Sequence, residues 1–119
     1  MKISIEKLRI MQIFIDGKYV QKRISELEAG APLKKIQVVR DPKKDIFYVL
    51  DGTHETFAAI YVGKTTLPAL EGYEKDPEKA SLNERIIDLY LNGNKHNLSP
   101  EDFSRSPHEL NIHWKIKWQ

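Results

Sequence analysis

Val49-Leu50-Asp51-Gly52-Thr53-His54-Glu55-Thr56-Phe57-Ala58-Ala59 decides how this chain is built. The apolar run Ile46 to Leu50 reads as a strand and ends in Asp-Gly. A helix of small and apolar residues follows at once, about from Thr53 to Val62, with Gly63 as its stop. Glycine permits a sharp change of direction and a close approach to the backbone. The first amides of a helix have no internal partners and are available to an anion. The corner is crowded with a carboxylate, two hydroxyls and an imidazole, and any chemistry in the chain is expected there.

Working outward, Ile36, Val38 and Val39 form a β-branched strand. The polar turn Asp41 to Asp45 joins it to Ile46–Leu50 as an antiparallel hairpin. Before it, Val20, Ile24 and Leu27 recur at helical spacing, with Gln21, Lys22, Arg23, Glu26 and Glu28 assigned to the other faces. Gly30 and Pro32 end that helix. Asp16-Gly17 either closes a hairpin or leads straight into the helix. Ile3, Ile5 and Leu8 read as a short strand and its continuation, and Ile10 to Ile15 as a second extended piece. After the hairpin, Thr66 to Leu70 is a short strand. Pro68 cannot donate to a ladder, so an edge or a strand end is expected.

The remainder differs in character. Tyr73 to Lys79 is a charged linker. Ser81-Leu82-Asn83-Glu84 fits a capping box, with Leu82, Ile86, Leu89 and Tyr90 as the apolar face of the helix it starts. Ser99-Pro100 starts a second helix, and Ile112, Trp114, Ile116 and Trp118 alternate as a final half-buried strand. The fold class expected is α/β (α+β), a small mixed sheet with helices around it over residues 1–73. Residues 74–119 form a C-terminal helical extension whose last strand packs on the same domain.

At 119 residues one core forms without disulfides or a structural metal. The absence of cysteine excludes a disulfide framework, a thiolate metal site and a cysteine nucleophile. The 19 basic and 17 acidic residues leave a net charge of +2, too small to argue for nucleic acid by itself. No stretch approaches the roughly 20 apolar residues that cross a bilayer, and Glu6, Lys7 and Arg9 interrupt any signal-like segment. A cytoplasmic protein without a membrane partner is expected. His96, His108 and His113 lack metal-ligand spacing, so no metal site is assigned.

The succession of parts is familiar. A short strand and a helix ending at Gly30 precede Lys35-Ile36-Gln37-Val38-Val39. A strand ending in Asp51-Gly52 and a helix follow, then Gly63-Lys64-Thr65-Thr66-Leu67-Pro68-Ala69. Over residues 1–73 this resembles the ParB/sulfiredoxin-like superfamily. The resemblance implies a small α/β domain that binds the phosphates of a nucleotide (ATP, ADP or CTP, with Mg²⁺) at the turn Asp51 to Thr56. Phosphoryl transfer or nucleotide hydrolysis is the activity it suggests. The alternatives are a ParB-like DNA-binding or nuclease-like accessory protein, and a degenerate interaction module. Sulfiredoxins carry a catalytic cysteine in the equivalent motif, so reductase activity is excluded. The serine kinases of the superfamily use an acidic residue in the N-terminal segment as base, for which the nearest residues here are Asp16 and Glu6. The motif's usual arginine after histidine is replaced by Glu55, which weakens a phosphate site. Its favourable position near a helix N-terminus is the structural explanation.

Asp51 is either a turn or helix cap, or a metal ligand or general base. His54, disfavoured as a cation at a helix start, is expected neutral and able to donate one hydrogen bond to a phosphate. Asp51 and His54 are the candidate catalytic residues. Gly52, Thr53, His54 and Thr56 are the candidate phosphate-binding residues. Lys34 and Lys35 form a basic rim that either reaches the same anion or is simply solvated.

Overall fold

The structure, a computed structural model, describes residues 1–10, 16–80, 82–88 and 91. Five strands, β1 (Lys2–Ser4), β2 (Leu8–Arg9), β3 (Ile36–Arg40), β4 (Phe47–Asp51) and β5 (Thr66–Glu71), form one mixed sheet in the order β1-β5-β3-β4-β2. β3 and β4 pair antiparallel as the expected hairpin. β1 pairs antiparallel with β5, while β3–β5 and β2–β4 are parallel. The helices are α1 (Gly17–Glu28), α2 (Thr53–Tyr61) and α3 (Leu82–Asp88). This is the small mixed sheet with surrounding helices expected from the sequence.

The N-terminal segment is not one strand and its continuation. β1 and β2 lie on opposite edges, linked only by the 3₁₀ turn Ile5–Lys7. From Ser4 to Leu8 the chain reaches at most about 14 Å. The edges of a flat five-stranded sheet lie about 19 Å apart at roughly 4.8 Å per strand. The sheet is therefore curled.

Its concave interior is filled by Ile3, Ile5, Leu8, Ile36, Val38, Phe47, Val49, Leu67 and Ala69, closed by Val20 and Ile24 of α1 and Phe57, Ala58 and Ala59 of α2. On the other face Ile87 of α3 packs against Ile46, Tyr48 and Leu50. β4 is thus buried on both faces, which is why Ile46 to Leu50 is continuously apolar. The apolar face assigned to α3 from sequence left out Ile87, which is fully buried. Glu84 accepts the Glu74 amide; the cap Ser81 of the expected capping box lies outside the described residues.

Two turn readings resolve by hydrogen bonding. Asp16 is a helix cap and not a hairpin turn: its carboxylate accepts the amides of Lys18 and Tyr19 at 3.1 and 3.5 Å. Pro68 lies in β5, an interior strand, and not at an edge. It faces Lys2 at a position between the bonded pairs Met1–Ala69 and Ile3–Leu67, so its nitrogen turns away from β1. On the other side the register with β3 begins only at Ala69. The missing N–H therefore breaks no ladder bond.

Residues 11–15 of the second extended piece, the cap Ser81, the helix at Ser99, the strand 112–118 with its tryptophans, and His96, His108 and His113 lie outside the described residues. No helix of the described residues is long and apolar enough to cross a membrane.

Candidate functional site

The turn between β4 and α2 is held by contact as well as by conformation. Gly52 has φ 110°, in the left-handed region. A Cβ on it would meet Ile36 Cγ2 at 2.4 Å and Ile36 Cβ at 2.7 Å, so the turn lies directly on the first residue of β3. Helix α2 starts at the next residue, and its cap position supplies no side-chain acceptor. The first internal bond runs from the Thr56 amide to Gly52 O at 3.0 Å. The amides of Thr53, His54 and Glu55 have no partner among the described residues.

His54 and Glu55 line a cleft of about 210 Å³. Its walls are Asp51, Gly52, His54 and Glu55 of the turn, Lys34 and Lys35 of the segment before β3, and Tyr19 of α1. Among the described residues the side chains of Lys34, Lys35 and Asp51 have no hydrogen-bond or ion-pair partner. The basic rim and the helix N-terminus thus share one cavity, with a free carboxylate beside them.

His54 is half-buried and bonded. Its Nε2 accepts the backbone amide of Asp16 at 3.1 Å. Its ring meets Tyr19 edge to face, centroids 5.1 Å apart. Burial pushes its pKa below the ordinary 6.5, outweighing the attraction of the Asp16 and Asp51 carboxylates. A neutral ring whose Nε2 accepts carries its proton on Nδ1. His54 is therefore a hydrogen-bond donor, and its basic nitrogen is already engaged.

Glu55 lines the cleft as a paired carboxylate, not a free one. Both its oxygens are taken by the buried Arg23 of α1: Nε to Oε1 and Nη2 to Oε2, each at 2.7 Å. Arg23 is 3% exposed and Glu55 6%. Glu55 Oε2 also accepts the Lys34 amide at 3.3 Å, and Arg23 Nη2 donates to Pro32 O at 3.4 Å. The bidentate pair neutralises Glu55 and ties the segment carrying Lys34 and Lys35 to both helices. This corrects the sequence expectation that Arg23 lies on a polar face, and it places the Glu55 charge in a buried pair.

Two candidate ligand contacts are also corrected. Thr56 is fully buried and its hydroxyl donates to Gly52 O at 2.9 Å, so it faces the core and closes the helix turn. Thr53 is 3% exposed and does not line the cleft. Among the described residues no group of three or more His, Asp or Glu has the arrangement of a metal site.

Sequence reasoning missed Tyr19 and the burial of Arg23, and named Asp16 as a turn residue and a candidate base but not for its backbone amide. Arg23 had a readable signal. It completes the spacing Val20, Arg23, Ile24, Leu27 on the apolar stripe of α1, and a charge there calls for a buried partner of opposite sign. Glu55, in the mostly apolar α2, is that partner. Nothing local marked Tyr19 or the Asp16 amide.

No family model matches the chain, and no curated protein matches it. Among solved structures, the crystal structure of protein Atu1540 from Agrobacterium tumefaciens is similar, with a TM-score of 0.62 at 21% sequence identity. The similarity covers 92% of this chain and 60% of that one, so the chain spans about three fifths of that structure's length. At this identity the likeness is one of fold.

Proposed function

We propose that the protein binds a nucleotide by its phosphate groups at the N-terminus of α2. The observation that carries the reading is that one cleft is lined by His54 and Glu55, whose helix-start amides are unpartnered among the described residues, together with Lys34 and Lys35. Amides and ammonium groups both favour an anion, and the neutral His54 adds one N–H donor. The resemblance to the ParB/sulfiredoxin-like superfamily supports the same location.

The roles follow from the groups present. The amides of His54 and Glu55 hold phosphate oxygens, with Gly52 keeping side-chain atoms out of the way. Lys34 and Lys35 neutralise charge. Asp51 is the carboxylate available to Mg²⁺, which is commonly held by one or two carboxylates together with substrate phosphates. Bound there, Mg²⁺ would neutralise phosphate charge. Phosphoryl transfer rests mainly on positioning and charge neutralisation, and Asp51 is also the group placed to take a proton from an acceptor hydroxyl. His54, with its Nε2 engaged, serves as donor and not as base.

A thermal-shift panel of ATP, ADP, CTP and GTP, each with and without Mg²⁺, tests the reading. A ligand at 100 times its dissociation constant stabilises by about 2.7 kcal/mol. The shift should shrink in Lys34→Ala/Lys35→Ala. No shift under any condition sinks the proposal. Binding of duplex DNA that weakens steeply with salt, without a nucleotide shift, would favour the ParB-like accessory reading instead.

A further inference from the structure

The inference rests on the phosphate-binding reading and concerns what lies beyond the phosphates. The cleft, at about 210 Å³, is smaller than the roughly 300–1,000 Å³ of sites that enclose a whole small molecule. A nucleotide whose phosphates sit on the α2 amides must leave its base at the rim or outside it. Of the seven residues lining the cleft, only Tyr19 and His54 are aromatic. The His54 ring is half-buried and bonded to the Asp16 amide.

Tyr19 is different. It stands on the first turn of α1, fixed there by the Asp16 cap, and is 45% exposed. Its ring leans on His54 at an interplanar angle of 69°. A T-shaped contact uses the face of only one of its two rings, so His54 leaves at least one face of Tyr19 uncovered. No described residue bonds the Tyr19 hydroxyl. The cleft thus presents an anion floor and, at its rim, a pre-positioned flat apolar surface held by a neighbour that itself belongs to the floor.

We propose that Tyr19 is the platform on which the nucleotide base stacks, and that it makes the site select nucleoside phosphates over phosphate compounds without a base. Every base has a π-face, so this platform discriminates weakly among bases. The ligand class is a nucleoside di- or triphosphate taken with little preference between purine and pyrimidine.

Calorimetric titration of ATP, CTP and inorganic triphosphate, all with Mg²⁺, into the wild type, Tyr19→Phe, Tyr19→Leu and Tyr19→Ala provides the test. ATP and CTP should bind the wild type with similar affinity and more tightly than triphosphate. Tyr19→Ala and Tyr19→Leu should weaken both nucleotides roughly 5- to 150-fold and leave triphosphate unchanged, while Tyr19→Phe retains nucleotide binding. Because the ring is largely outside the core, all three variants should melt near the wild type. Triphosphate binding the wild type as tightly as ATP overturns the inference and leaves the phosphate site standing. So does an equal loss for all three ligands, or no loss, in Tyr19→Ala. If none of the three ligands binds, the phosphate-binding reading itself falls, and the inference with it.

Discussion

β4 has an aspartate corner at each end, and the two are built in opposite ways. Before the strand, Asp41 accepts the amides of Lys43 and Lys44 at 2.7 and 2.8 Å and the hydroxyl of the buried Tyr48 at 2.6 Å. That corner spends its polar groups on itself. After the strand, the Asp51 carboxylate and three successive amides have no partner among the described residues. The two sequences are both short, polar and turn-like, so residue type does not distinguish them. Occupancy of the hydrogen-bonding groups does: a closed corner holds the chain, and an open one is available to a ligand.

The most damaging way to break the open corner is to remove the charge beneath it. Glu55→Leu leaves the buried Arg23 with only the more exposed Glu26, 3.3 Å from its Nη1, as counter-ion and should cost up to about 3–5 kcal/mol in urea denaturation. Adding Arg23→Met should recover most of that loss, because paired apolar replacement avoids the stranded charge. A loss well under 1 kcal/mol for the single change would show that the pair is not what holds the corner.

Gly52→Ala comes next. It combines a strained left-handed φ with a Cβ inside contact distance of Ile36, together worth about 2–5 kcal/mol. A stability within error of the wild type would contradict the close approach of this turn to β3.

At the closed corner, Asp41→Ala should cost about 1–3 kcal/mol and leave any nucleotide-induced thermal shift unchanged. Its pH dependence has a definite sign. Burial alone would raise the Asp41 carboxyl, but the Tyr48 hydroxyl, the Lys43 and Lys44 amides and the Lys44 charge outweigh it and hold it below the ordinary 3.8. The unfolded chain binds that proton more readily. The stabilisation is therefore complete above pH 3.8, is lost as pH falls through the folded pKa, and should be missing from acid titrations of the variant.

The smallest effect belongs to His54. With its pKa lowered by burial, the unfolded chain again takes the proton first. Stability should be whole above about pH 6.5 and decline below it. The decline should be shallower in His54→Gln, read as the difference between the two denaturation profiles. An identical slope in both proteins would mean that His54 is not held neutral by its surroundings.

The hairpin β3–β4, the helices α1 and α2 and the open corner itself were legible because each rests on a local signal. These signals are β-branched runs around a polar turn, apolar residues at helical spacing, and glycine between strand and helix. Thr56 was misjudged because a hydroxyl in a first helical turn looks the same whether it faces a ligand or the carbonyl of Gly52. The rule for Pro68 points to an edge or a strand end. It could not be known from sequence that the β3 register starts one residue later.

The sequence by itself marked the corner, since Asp51-Gly52-Thr53 places a glycine between an apolar strand and a helix. Tertiary structure decided what the site is made of. Arg23 comes from 32 residues away to neutralise Glu55, the Asp16 amide comes from 38 residues away to set the His54 proton on Nδ1, and Tyr19 arrives with it. Such pairings depend on how α1 packs across α2. That packing is set by burial of the whole apolar stripe on a curled sheet, not by any residue near the corner.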